Sequence, residues 1–255
     1  MIPSNYHTHT TFCDGKNTPE EMVLRAIQLG CPELGFSGHS YLPFGTDYCM
    51  TPEKTRQYQE EIRRLQRKYD GQIKILMGIE QDYFSETSTE GYDYVIGSVH
   101  SVKKDGHDLE VDHSRQILVE NVQTYYDGDY YAYAEEYFAL VADVYRKTGC
   151  QIVGHFDLVT KFNEGDKLFD TSHPRYREAA HNALTALMDA PVILEVNTGA
   201  MARGYRTEPY PSQDILSRWL KAGKKVHFSS DCHNADNLLF GYSQYEAYLK
   251  EASER

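Results

Sequence analysis

The chain is poor in the residues that build stapled or membrane-bound proteins. It has five cysteines in 255 residues, widely spaced and with no C-x-x-C pair, so neither a disulfide framework nor a zinc finger is indicated. No apolar run approaches the roughly 18 residues of a membrane span, and the opening MIPSNYHTHTTF lacks the basic and hydrophobic regions of a signal peptide. The expected location is the cytoplasm. Positive charge is also scarce, with 26 Lys and Arg against 38 Asp and Glu and a net charge of −12. No basic run is threaded with aromatics, which argues against nucleic acid as a partner. There is no Pro/Ser-rich linker and no shift in composition, so residues 1–255 read as one domain. Histidine, by contrast, occurs eleven times.

Short apolar, β-branched runs recur at 5–9, 34–37, 73–80, 94–99, 151–155, 192–197 and 226–230, seven candidate strands of the type buried on both faces. Helices are punctuated between them. Thr18-Pro19-Glu20-Glu21 supplies an N-cap, a first-turn proline and a capping-box glutamate, with Gly30 as terminator. Thr51-Pro52, Tyr130, Ser172-His173-Pro174 and Pro211-Ser212 open four more. Regular alternation without a hairpin signal predicts parallel strands joined by right-handed crossovers, and therefore an α/β fold, a distorted seven-stranded TIM-like barrel.

Such barrels gather their chemistry at the C-terminal ends of the strands. His7 and His9 stand two apart on the first strand and so share a face. His39 follows the second strand, Glu80 closes the third, His100 follows the fourth, His155 the fifth, and Asp231 and His233 the seventh, with Asp14 in the first loop. Each alone has an ordinary structural explanation as a core histidine or a helix cap. Together, these nine residues from six strand ends predict a metal cluster at one rim. From their positions after the fifth and sixth strands, Lys161 and Arg203 are candidate phosphate-binding cations, and the loop leaving His39 offers Ser40, Tyr41 and Phe44 to a substrate. His107 and His113 read as polar-loop residues, His173 as a cap, His181 as a surface residue, His227 as packing below the metals and Cys13 and Cys232 as small packing residues. The tyrosines at 125, 126, 130, 131, 133 and 137 read as helical packing.

His7-Thr8-His9, Asp14-Gly15, Ser37-Gly38-His39, Gly78-Ile79-Glu80, Ser98-Val99-His100, Gly154-His155-Phe156-Asp157 and Ser230-Asp231-Cys232-His233 resemble the ordered motifs of the polymerase and histidinol phosphatase (PHP) family. The resemblance is to its short, single-domain members that act on L-histidinol phosphate. It implies a trinuclear site of divalent zinc, manganese or iron ions and hydrolysis of a small phosphate monoester. By position, His7, His9, Glu80 and Asp231 would hold the first metal, a bridging Glu80 with His100 and His155 the second, and Asp14, His39 and His233 the third. Gly38 departs from the family pattern, in which an aspartate often precedes the histidine.

Six neutral imidazoles and three carboxylates form a site of charge −3, which would repel a phosphate dianion, whereas three divalent ions would bring it to about +3. The hydrolysis expected is attack by a metal-bridging hydroxide, with Asp231 or His233 moving the proton to the leaving alkoxide. Three other readings compete. A phosphodiesterase or exonuclease, or a phosphatase of nucleotides or phosphotyrosine, could use the same metal face. An amidohydrolase would usually bridge its metals through a modified lysine on the fourth strand rather than through Glu80. A closed structural metal centre would leave no open coordination positions.

Overall fold

The computed structural model describes residues 4–45 and 47–254; Met1, Ile2, Pro3, Thr46 and Arg255 lie outside that range. Thr18 caps α1 (Pro19–Gln28), with the Glu21 side chain returning to the Thr18 amide. Strand β1 (Glu33–Phe36) follows, then α2 (Pro52–Lys68), capped by Thr51, and the long strand β2 (Lys74–Asp82). After β3 (Tyr94–Ser98) come two short strands, β4 (Ser101–Lys104) and β5 (His107–Glu110), then α3 (Arg115–Tyr125) and α4 (Tyr130–Thr148). Strand β6 (Ile152–Val153) leads into a 3-10 turn at Leu158–Thr160 and α5 (Pro174–Met188). The remainder is β7 (Ile193–Asn197), α6 (Gly199–Ala202), α7 (Gln213–Lys221), β8 (Val226–Ser229) and α8 (Tyr245–Glu254). Among the described residues no helix is long and apolar enough to cross a membrane.

The main sheet is parallel and curled, six strands in the order β1-β2-β3-β6-β7-β8. The expected first strand, Asn5–His9, is not part of its regular ladder. It makes single parallel bridges on both sides, Asn5 with Leu34 and Thr8 with Cys232. Polar side chains take over hydrogen bonds that a ladder would supply: Ser37 Oγ accepts from the Thr8 amide at 3.1 Å, and Asn5 Oδ1 accepts from the amides of His7 at 3.2 Å and Ser230 at 3.3 Å. The same segment still bonds to both sheet edges through main-chain groups. Gly35 N donates to Asn5 O at 2.8 Å, and His9 N donates to Cys232 O at 2.9 Å.

The expectation of uninterrupted β-then-α alternation without a hairpin is also corrected. β4 and β5 form an antiparallel pair closed by Asp105-Gly106, with φ of 48° and 81°. An Asp-Gly pair with both residues at positive φ is the two-residue turn that matches the twist of flanking strands. Helices α3, α6 and α8 were likewise not predicted; α3 has weak apolar spacing and depends on its Ser114 cap, and α6 is a single turn.

The β1–β2–β3 part of the sheet closes around Tyr94. Its hydroxyl donates to the carbonyls of Tyr6 at 2.5 Å and Phe36 at 2.9 Å, and its ring lies where a side chain at Gly78 would have to sit. Gly78→Ala is therefore expected to destabilise the fold by about 1–3 kcal/mol, as overpacking does. Denaturant unfolding should show a lower midpoint at an unchanged slope, and an unshifted midpoint would mean that the ring moves aside freely.

Candidate metal centre

All nine predicted ligands meet at the C-terminal mouth of the sheet. Glu80, buried on β2, stands at the middle. Its Oε1 lies 3.2 Å from His100 Nε2 and 2.9 Å from His155 Nε2, while its Oε2 lies 3.2 Å from His7 Nε2, 3.5 Å from His9 Nε2 and 2.9 Å from His39 Nδ1. Asp231 Oδ1 approaches His9 Nε2 at 3.2 Å and His7 Nε2 at 3.6 Å. Asp14 lies 3.0 Å from His233 Nε2 and 3.7 Å from both His9 and His39. Four groups have ligand atoms close enough to share an ion: His9, Asp14, His39 and His233; His7, Glu80 and His155; His7, His9 and Asp231; and His39, Glu80 and His100. His7, His9, His39 and Glu80 therefore each belong to two groups, a sharing that motif order anticipated only for Glu80.

These residues fit divalent cations on a test independent of motif. His7 Nε2, His9 Nε2 and Glu80 Oε2 are buried, have neighbours at about hydrogen-bond distance, and yet make no hydrogen bond of acceptable geometry. Buried polar atoms without partners are costly, and lone pairs converging on common points are what a cation satisfies.

Charge within the cluster is strongly redistributed. Burial works against ionisation of Glu80, but His7, His39 and His100 outweigh it and hold the carboxyl well below its usual range. Asp231 is held low in the same way, against burial, by Arg203 and His7. Asp14 is also lowered despite its burial, by His39 and His233. Burial and the neighbouring His233 and His39 push His9 down to about 3, so it is neutral and ready to coordinate. His7, His100 and His39 go the other way, because Glu195, Glu80 and Asp82 overcome the desolvation. Without cations, the cluster therefore stores protons on imidazoles that the sequence reading took as neutral.

Two orienting carboxylates escaped the sequence analysis. Glu195 on β7 is fully buried; its Oε1 is 2.7 Å from His7 Nδ1, and its Oε2 accepts from the His155 amide at 2.8 Å and from Asn197 Nδ2 at 2.9 Å. Asp82, two residues beyond Glu80, holds His100 Nδ1 at 3.0 Å. Carboxylates of this kind fix ring orientation and raise ligand basicity. Their signal was present in strand parity, since Glu80 and Asp82 share one face of β2. The missing aspartate at position 38 also has an explanation. A Cβ at Gly38 would meet the Met50 thioether at 3.1 Å, so Met50 occupies that space.

The ligands open onto a cavity of about 240 Å³, lined also by Lys161, Arg203, Asp47, Tyr48, Glu110, Asp112 and His113. Lys161 donates to Asp112 Oδ2 at 2.9 Å and to Asp112 O at 2.8 Å. Arg203 donates to Asp231 O at 3.2 Å, to Asp231 Oδ2 at 3.1 Å and to His233 Nδ1 at 3.0 Å. Ser40, Tyr41 and Phe44 do not line this cavity. Ser40 Oγ accepts from the Asp82 amide, the Tyr41 carbonyl accepts from Ser85 Oγ, and Phe44 packs beside Lys103. Tyr48, from the same loop, takes the place expected of them, edge-on to the His39 ring at 5.2 Å. His113, read as a polar-loop residue, faces the cavity and pairs with Glu110 at 3.2 Å. His227 stacks on Tyr6, His173 caps α5, and His181 pairs with Asp214.

Backbone geometry at the mouth is strained. Asp231 has φ 46°, in the left-handed region that non-glycine residues rarely adopt, and the chain turns there, beyond the end of β8. Gly199 makes room for this residue, since a Cβ there would stand 2.6 Å from Asp231 Oδ2 and 2.9 Å from Arg203 Nη2.

Residues 5–199 match the family model for the PHP domain, and the chain belongs to that family. Within it, the chain is 28% identical to a histidinol-phosphatase of Bacillus subtilis, with 96% of this chain and 97% of the relative covered. A solved structure from Listeria monocytogenes has a TM-score of 0.82 at 23% identity, covering 95% of this chain and 99% of that one. The histidinol phosphate phosphatase of Lactococcus lactis, solved with zinc, L-histidinol and phosphate, has a TM-score of 0.69 at 24% identity, covering 98% and 94%.

Two outcomes are expected for metal binding. Because His7, His39 and His100 hold protons that a cation must displace, apparent affinity for zinc or manganese should rise from about pH 6 to pH 8, with proton release detectable by calorimetry in buffers of different ionisation enthalpy. Glu195→Gln should weaken metal binding by about 10–100-fold while the fold persists, as measured by competition with a chelator.

Proposed function

We propose that the chain is a metal-dependent phosphatase that hydrolyses L-histidinol phosphate to L-histidinol and phosphate, a reaction that would serve histidine biosynthesis. The observation that carries this reading is the convergence of nine ligand side chains, with unpartnered buried nitrogens and oxygens among them, on a cavity whose wall also holds Lys161 and Arg203. The full-length similarity to histidinol-phosphatases supports the choice of substrate.

Three divalent ions, zinc, manganese or iron, would be held by His7, His9, Glu80 and Asp231, by Glu80, His100 and His155, and by Asp14, His39 and His233. When bound, such ions supply water activation and neutralisation of phosphate charge. The chain's own residues do the rest. Arg203 and Lys161 are the fixed cations that orient the phosphate oxygens, and each is held by a carboxylate that keeps it at the cavity wall. Arg203 also fixes Asp231 and His233, the two candidates for moving a proton to the leaving alkoxide. Glu80 orders the imidazoles through its two oxygens. Part of the rim is acidic: Glu110 is pushed up by burial and by Asp47 and Asp112, so a cation beside it would be stabilised. An ammonium or imidazolium group at that rim, with phosphate at the ions, fits a substrate charged oppositely at its two ends.

The Asn5–His9 segment, bonded to both edges of the curled sheet, fits a seventh strand closing a distorted barrel, and residues 1–255 a single domain. Five free cysteines are compatible with a reducing cytoplasm.

The direct test is phosphate release from a panel of L-histidinol phosphate, p-nitrophenyl phosphate, a nucleotide, a phosphotyrosine peptide and a phosphodiester, with and without chelator. L-Histidinol phosphate should be turned over best, and chelation should abolish turnover. Preference for the diester would favour the exonuclease alternative instead. Glu80→Gln should remove activity with circular dichroism unchanged. Glu110→Gln should raise KM for L-histidinol phosphate by about ten-fold, the loss of one charge-assisted contact, with little change for p-nitrophenyl phosphate.

A further inference from the structure

We propose that a second cavity, backing onto the first, is a binding site for a small organic ammonium compound bearing a hydroxyl or carbonyl group. Its volume is about 280 Å³, and its wall carries Asp157, Glu164, Asp166 and Glu208 against the single cation Arg206. Asp157 is wholly buried. One of its oxygens accepts from the Ser212 amide at 2.9 Å, whereas Oδ1 has no hydrogen-bond partner. Tyr176, 4% exposed on the same wall, likewise has a hydroxyl without a partner. A buried carboxylate oxygen in need of a donor, near a phenol that can donate, matches a ligand with an N–H donor and an oxygen acceptor.

The wall is already built. Asp166 Oδ1 accepts from the Thr171 amide at 3.3 Å and its hydroxyl at 3.0 Å, and Glu164 accepts from the Thr207 amide at 3.3 Å. Arg206 is tied back to Thr160 O at 3.3 Å and to Glu208 O at 3.2 Å and lies over the Tyr210 ring; it acts on Asp157 through its charge but makes no hydrogen bond to Asp157 Oδ1, and it is one cation against four carboxylates. A metal ion is the less fitting occupant, because among the described residues no three ligand atoms converge here. The cavity shares its wall with the first: His155, Lys161 and Arg203 line one side, and their near neighbours Asp157, Thr160 and Arg206 line the other.

The test is calorimetric titration of the metal-loaded protein with ethanolamine and, separately, with ethylene glycol. It is run in saturating inorganic phosphate on the Glu110→Gln background, so that the first cavity is silenced. Ethanolamine should bind with a stoichiometry of one, and ethylene glycol should not. Binding should fall by about ten-fold in Asp157→Asn and be weakened in Glu208→Gln, whose exposed position leaves the fold intact. Absence of ethanolamine binding, equal binding of ethylene glycol, or equal binding to both variants would overturn the proposal. So would displacement of ethanolamine by potassium chloride to the same extent in wild type and variants, which would mark a diffuse acidic surface. The readout is binding and not turnover, so its failure is distinct from failure of the phosphatase reading.

Discussion

Everything at the mouth of the sheet depends on one buried carboxylate. Glu80 has no solvent to stabilise its charge, and only the ring of histidines around it makes ionisation favourable. The dependence runs both ways, since the same charge raises His7, His39 and His100. The two oxygens divide the imidazoles, with His100 and His155 on one and His7, His9 and His39 on the other. A shorter aspartate could not span both groups, and a neutral amide could not offset the protons. Long, regular β2, paired in register with β1 and β3, holds this side chain at a fixed height.

The ligand set was legible in the sequence because metal chemistry restricts residue type and strand ends restrict place. His7, Glu80 and Asp231 could be picked out by being polar where a buried strand should be apolar. The supporting carboxylates were harder to see. Glu195, in the middle of β7, and Asp82, at the end of β2, are also acidic residues on strands, and only the rings they touch distinguish them from direct ligands. The β4–β5 hairpin was encoded in Asp105-Gly106, a turn signal obscured by the short and polar strands on either side. Where the chain bonds through side chains rather than main chain, as at Asn5 and Ser37, periodicity predicts a strand that the ladder does not contain. Loop residues were the least legible. Nothing local distinguishes Tyr48 from Tyr41 or Phe44, and their placement is settled by contacts with distant elements.

Electrostatic asymmetry organises the cavity. Lys161 and Arg203 are each paired with a carboxylate, Asp112 and Asp231, while Glu110 pairs with His113 and also feels Asp47 and Asp112. A protein of net charge −12 can therefore still present a local cationic surface, provided that the carboxylates beneath it are already committed to histidines, to arginine or to bound ions.

The strained turn at Asp231 has a further consequence for how the molecule comes into being. Its neighbour Cys232 is bonded to the His7–His9 segment, so the earliest and the latest contributors to the cluster are fastened directly to each other. During synthesis, the first two histidines leave the ribosome more than two hundred residues before the aspartate that completes their group. Two of the four groups, His39 with Glu80 and His100 and His7 with Glu80 and His155, need nothing beyond residue 155, but the other two close only late, when the tail folds back onto the head.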